Sequence, residues 1–137
     1  MVCDMVNKID TDNVPKLRFS GFDGEWENKC VGEICDFIVP GRNKPKDFNG
    51  DIPWITTPDI EHNSFVYFSK SRLSISKEEA REVGSKIVPT NSIIISCVGE
   101  LGLVAIAGKD IVINQQLHAF IPKDKINYRF LLYGLSM

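Results

Sequence analysis

Glu27-Asn28-Lys29 places an acid and a base at the E-x-K spacing that some nucleases use to hold a metal and orient a water. That chemistry needs a second carboxylate upstream. The nearest, Asp23, sits in turn-like sequence only four residues earlier. Pro58-Asp59 is not followed by the D/E-x-K that would complete the other half of such a centre. The remaining catalytic patterns are missing from the sequence: no GxGxxG or Walker lysine loop to cradle phosphate, and no G-x-S-x-G elbow to expose a nucleophilic serine. Cys3, Cys30, Cys35 and Cys97 include no CxxC pair, and His62 and His118 lie far from them. Structural zinc ligands stand two to four residues apart, so the cysteines read as reduced thiols and no metal or other cofactor is expected. His118, inside an apolar run, reads as a sheet residue and His62 as a solvated loop residue. The chain is therefore expected not to be an enzyme. A small metal-dependent nuclease is the catalytic alternative, and cleavage of plasmid in magnesium would test it.

Composition bounds the rest. The 137 residues carry 16 Lys+Arg against 18 Asp+Glu, a net charge of −2, with 43% apolar and 25% charged residues. That is globular composition at the length of one domain. The charge is too balanced for an overall basic nucleic-acid binder and too weakly acidic for a DNA mimic. No apolar run reaches the roughly 18 residues of a membrane span. Met1 to Asn13 lack the basic start and apolar core of a secretory signal, so a cytoplasmic location is expected.

The elements follow from pattern. Residues 1–14 read as a loose polar tail. Pro15 pushes the residue before it out of helix, so the lead-in from Val14 to Phe19 reads as extended. Val31, Ile34, Cys35 and Ile38 form an i, i+3, i+4, i+7 stripe, which predicts a helix stopped by Pro40-Gly41. A polar, basic loop over 41–51 leads into a strand at Ile52–Thr56, where Pro53 indicates an edge or a strand start. Phe65–Phe68 is a second strand candidate, and Trp54, Tyr67 and Phe68 are expected in the core. Ser76 and Glu79 match the S-x-x-E capping box, Ile75 can staple onto Ala80, and Gly84 suits the C-terminal cap of a short helix. From residue 87 short apolar runs (87–88, 92–98, 103–107, 111–113, 117–121) alternate with turn residues, among them Gly99 and Gly102. This spacing predicts an antiparallel sheet. Tyr128 to Leu135 reads as the start of a helix.

Several segments in order resemble the specificity subunit of type I restriction–modification systems. They are Val14 to Phe19 with Gly21-Phe22, Gly24-Glu25-Trp26; Val31-Gly32-Glu33-Ile34; Gly41-Arg42, Pro45, Gly50, Ile52-Pro53-Trp54 and Asp59-Ile60; Pro89, Ser96, Gly99, Gly102 and Asn114-Gln115; and Phe130 to Tyr133. The resemblance spans nearly everything after residue 13 but covers one target-recognition domain, where the family has two separated by long helices. It implies a mixed α+β fold: a curved, largely antiparallel sheet with a few short helices. Residues 15–124 would be that domain and 125–137 the start of a spacer helix.

The resemblance also implies sequence-specific binding to one half of a bipartite site on double-stranded DNA, with methyl transfer and cleavage left to methyltransferase and restriction subunits. Arg42, Lys44, Lys46, Lys70 and Arg72 would contact phosphates, giving salt-dependent affinity without specificity; their other reading is solvated loop charge. Thr56, Thr57, Asp59, Asn114, Gln115 and Gln116 stand at strand ends, where donors and acceptors could reach base edges. Asn114 and Asp59 have a second reading as turn formers. The 128–135 segment offers a face for self-association. A rival of another class is a truncated regulatory protein that competes with an intact specificity subunit without reading DNA itself.

Overall fold

The computed structural model describes residues 14–136. Residues 1–13 of the expected tail, with Cys3, lie outside them. The chain divides into two compact units, Met1–Ile34 and Cys35–Met137.

In the first unit, α1 covers only Val31–Ile34. The Cys30 N–H donates to the Glu33 carboxylate at 2.6 Å and the Glu33 N–H returns to the Cys30 carbonyl, so the pair closes this single turn. The predicted helix does not continue. Cys35–Ile38 is strand β1, antiparallel to the late strand β8 (Leu117–Pro122). Cys35 and Ile38 are buried whereas Asp36 and Phe37 are exposed. An i, i+3 burial pattern therefore mimicked a helix face, and long-range pairing overrode local propensity. Cys35 and Cys97 are free thiols. Cys30 is disulfide-bonded, which corrects the reduced-thiol reading at that position; no sequence-adjacent partner announces it.

The second unit is mixed α+β, as the resemblance implies. A five-stranded sheet has the order β1-β8-β5-β6-β3, with β5 Ile93–Ser96, β6 Val104–Ala107 and β3 Ser64–Val66. A three-stranded sheet has the order β4-β2-β7, with β4 Ser74–Ile75, β2 Ile52–Ile55 and β7 Val112–Ile113. Pairing is antiparallel except for β3 with β6 and β2 with β7. The edge option for Pro53 is thereby overturned. It opens the central strand of its sheet instead, where its missing N–H costs nothing in the ladder's body.

The core follows the strand period. One face of the large sheet aligns Ile38, Ala119, Ile94 and Ala105 across four strands. These pack with Leu117 of β8 and with Ile55, Ile60, Ile111 and Ile113 from the small sheet and its connections. Each fully buried Ile or Leu contributes about 1.5–3 kcal/mol of transfer free energy. The other face aligns Phe37, Phe120, Ile93, Ile106 and Phe65, and α3 (Tyr128–Leu135) lies against β5 and β6 there through buried Leu131 and Leu132. Phe65, Tyr67 and Phe68 are not core residues: they are 37%, 47% and 71% exposed. Strand alternation turns Val66 inward and its aromatic neighbours outward on an edge strand.

Helix α2 (Lys77–Glu82) starts as its sequence indicates. Ser76 Oγ accepts the Glu79 N–H at 3.1 Å, and Ile75 and Ala80 share the core cluster with Trp54 and Val112. Its end is a Schellman motif: Ser85 N–H bonds to the Ala80 carbonyl and Gly84 N–H to Arg81, with Gly84 at φ +69°. Gly50 is required for another reason. A Cβ there would lie 2.0 Å from the Ile75 carbonyl carbon, so a side chain would push the 41–51 loop off β4. Among the described residues, no helix is long and apolar enough to cross a membrane.

Candidate functional site

The parallel pairing of β2 with β7 sets Trp54 beside Val112 and Ile55 beside Ile113, so both strands end at the same place. The Asn114 N–H extends the ladder by donating to the Ile55 carbonyl at 3.0 Å. The segments leaving the two strands are therefore brought together: Thr56-Thr57-Pro58-Asp59, a 3-10 turn over Thr57–Asp59, and the turn Asn114 to Leu117. Thr57 Oγ1 donates to Gln116 Oε1 at 3.2 Å across 59 residues of sequence. Asn114 Nδ2 donates to the same oxygen at 3.2 Å, and Asn114 Oδ1 accepts the Gln116 N–H at 3.2 Å. Gln115, at the apex, is exposed. The Gln116 carbonyl accepts the Cys97 N–H at 2.9 Å, which fixes this turn against the end of β5. A pocket of about 480 Å³ opens here, lined by Thr57, Pro58, Gly99, Glu100 and Gln116 among others.

Asp59 is committed inward. It is 8% exposed, and its Oδ2 accepts both the Thr56 N–H at 2.8 Å and the Thr56 hydroxyl at 2.9 Å. Its Oδ1 accepts the Lys70 N–H at 2.6 Å. A buried carboxylate that accepts three hydrogen bonds from two segments positions two loops. The T-x-x-D pattern of Thr56 to Asp59, with Pro58 in the turn, is the capping signature that marks this role in the sequence. Through it Lys70 is carried to the same end of the sheet, with its ammonium 3.5 Å from Glu61 in an exposed pair that solvent and salt weaken. Arg72 is exposed at φ 55° in the same loop.

The 41–51 loop forms a separate basic site. Arg42, Lys44 and Lys46 line a pocket of about 400 Å³ with Asn43, Glu82 and Val83. The buried Glu79 carboxylate holds this loop: one oxygen accepts the Lys46 N–H at 2.5 Å and the Asp47 N–H at 3.2 Å. Sequence reasoning assigned Glu79 to the capping box alone. Its carboxylate reaches instead across 33 residues to the loop. Asn43 adds a bond to the Val83 carbonyl at 3.2 Å, and the Lys44 ammonium stands 5.8 Å from the centre of the Trp54 ring. The backbone of the basic loop is thus fixed while its three cationic heads remain exposed.

Elsewhere, Glu27 and Lys29 pair with each other in the first unit. Their mutual hydrogen bond and charge lower the Glu27 pKa and raise that of Lys29. Burial raises the thiol pKa of Cys35 and of Cys97. His62, although exposed, accepts the Val104 N–H at 3.4 Å. The exposed aromatics carry cations: the Arg129 guanidinium lies 5.8 Å from Phe65 and Lys109 lies 5.6 Å from Phe68.

Comparison with known proteins places this chain in a family. Residues 23–137 match the family described as the type I restriction modification DNA specificity domain. The MjaIX specificity subunit of Methanocaldococcus jannaschii is 30% identical over 105 residues, covering 77% of this chain and 24% of its own length. The HindI specificity subunit of Haemophilus influenzae is 29% identical over 114 residues, covering 81% and 24%. The chain thus spans about a quarter of the length of these relatives. Among solved structures, the HsdS subunit of Thermoanaerobacter tengcongensis shares the fold with a TM-score of 0.59 at 22% identity, over 77% of this chain and 26% of that one. A structure described in terms of complex assembly and conformational transition of the type I R-M system matches with a TM-score of 0.58 at 24% identity, over 77% and 25%.

Proposed function

Because the chain belongs to the type I restriction modification DNA specificity domain family, we infer that it reads one half of a bipartite DNA site as the specificity component of a type I restriction–modification system. The observation that carries this reading is the convergence of Thr57, Asn114 and Gln116 at the shared ends of β2 and β7. Rigid strands deliver hydrogen-bonding side chains to one edge in a fixed arrangement, which is what base reading requires. Gln115 stands beside them, and Lys70 and Arg72 supply nearby positive charge. Arg42, Lys44 and Lys46 form a second set of phosphate contacts from a loop whose backbone is held by Glu79. Thr56 and Asp59 set the shape of the first loop.

In this reading residues 15–124 form the target-recognition domain and 125–137 open a spacer helix. Tyr133, exposed on α3, is available to a second copy or to a partner subunit. Binding asks for no catalysis from the chain, so methyl transfer and cleavage belong to methyltransferase and restriction subunits in the cytoplasm. The rival role, competition without DNA reading, has no structural observation in its favour.

Selection of bound duplexes from a random DNA pool at two salt concentrations tests the proposal. Enrichment of a motif of about three to five base pairs is expected, with overall binding weakening as salt rises by roughly 0.9 logarithmic units per unit of log[salt] for each phosphate contacted. Absence of any enriched motif at low salt would overturn it.

A further inference from the structure

We propose that Gln116 is a specificity-determining residue held in donor form, and that it selects a base edge built of acceptors, guanine foremost. The inference rests on the base-reading role given to the β2–β7 end and names the chemistry of one contact there.

The argument is a chain of forced orientations. A backbone N–H can only donate, and that of Gln116 points at the Asn114 side chain at 3.2 Å. Asn114 must therefore turn its oxygen toward it. Its Nδ2 then faces the other way and donates to Gln116 at 3.2 Å. If Gln116 were flipped, two NH2 groups would meet, so Gln116 must offer its oxygen. The Thr57 hydroxyl donates to that same oxygen at 3.2 Å. Two donors thus occupy Gln116 Oε1. Its Nε2 has no partner among the described residues and is not sealed from solvent. Gln116 lines the pocket of about 480 Å³.

A glutamine with both groups free pairs bidentately with adenine, accepting from N6 and donating to N7. Gln116 has no oxygen free for N6. Its two N–H donors fit guanine, whose N7 and O6 are adjacent acceptors, and they oppose the N6 and N4 donors of adenine and cytosine. The fixed orientation also lowers the entropy lost on contact.

Pool selection with wild type, Gln116→Ala and Asn114→Asp tests this. Asn114→Asp keeps an oxygen for the Gln116 N–H, so the turn survives. Its second oxygen now accepts, which turns Gln116 Nε2 inward and Oε1 outward; the Thr57 hydroxyl adapts because it both donates and accepts. The wild type is expected to enrich a motif with one G·C position that Gln116→Ala relaxes by about tenfold. Asn114→Asp should replace that pair by A·T, or invert it relative to the rest of the motif, while leaving the other positions unchanged. If the wild-type motif is unaffected by Gln116→Ala, or if the Gln116-dependent position is an A·T pair, the donor assignment is overturned and DNA reading stands. If the wild type enriches no motif, DNA reading itself fails and this inference with it.

Discussion

Asp59 and Gln116 are both polar residues at strand ends, yet their surroundings give them opposite roles. Asp59 spends both oxygens on Thr56 and on the Lys70 N–H. Removing it leaves those donors to find new partners, and bonds to a charged acceptor contribute about 1.5–3 kcal/mol each. Asp59→Ala should lower the stability of the folded chain by about 2–4 kcal/mol in chemical denaturation. The base preferences in a selected motif should stay unchanged under conditions where the variant is folded. A changed base at one position with unchanged stability would make Asp59 a contact residue instead. At the same scale, Cys97 and Cys35 have thiol pKa values raised by burial, so the folded state holds their protons more tightly than the unfolded chain. Their contribution to stability is present at neutral pH and declines as pH rises above the ordinary thiol value of 9.0. Denaturation midpoints measured at pH 7 and pH 10 should therefore fall at the higher pH, and by less in a Cys97→Ser variant.

Among the elements, α2 has the clearest account. Its N-cap, staple and Schellman end were all written in Ser76, Ile75/Ala80 and Gly84, because these signals are local and each answers an unsatisfied backbone group. Ser76→Ala should cost about 1 kcal/mol in denaturant unfolding; a neutral effect would mean that the Glu79 anchor on the 41–51 loop alone holds the helix start. Three of the five runs after residue 87 were equally legible as antiparallel strands, β5, β6 and β8, since turn residues separate short apolar runs; Val88 makes only a bridge to Ile111, and β7 joins β2 in parallel instead. The first helix was not legible. Val31, Ile34, Cys35 and Ile38 satisfy a helical stripe, but Cys35–Ile38 gains more by pairing with a strand 80 residues later, and no local pattern carries that information. Tyr67 and Phe68 failed for a related reason. Apolar character suggested burial, whereas their place just after an edge strand leaves both rings on the surface, with Lys109 over Phe68.

For the whole molecule, the net charge of −2 includes carboxylates that are buried rather than on the surface. Lys and Arg stand on the 41–51 loop and beside the β2–β7 end, whereas buried Glu79 and Asp59 are consumed in holding those loops. Composition could not disclose this, because it counts a buried structural carboxylate and an exposed one alike. The sequence did present Thr57 and Gln116 as candidates separately. Only the parallel β2–β7 pairing brings them within 3.2 Å. The central claim is sequence-specific recognition by this chain, and the direct measurement is the affinity of the purified protein for its selected duplex against a scrambled duplex of equal length and composition. Fluorescence anisotropy at physiological salt would report both. Each mismatched base pair should cost about 1–3 kcal/mol, so the account predicts a preference of about 100-fold or more for the selected sequence. Equal affinity for the two duplexes would contradict it.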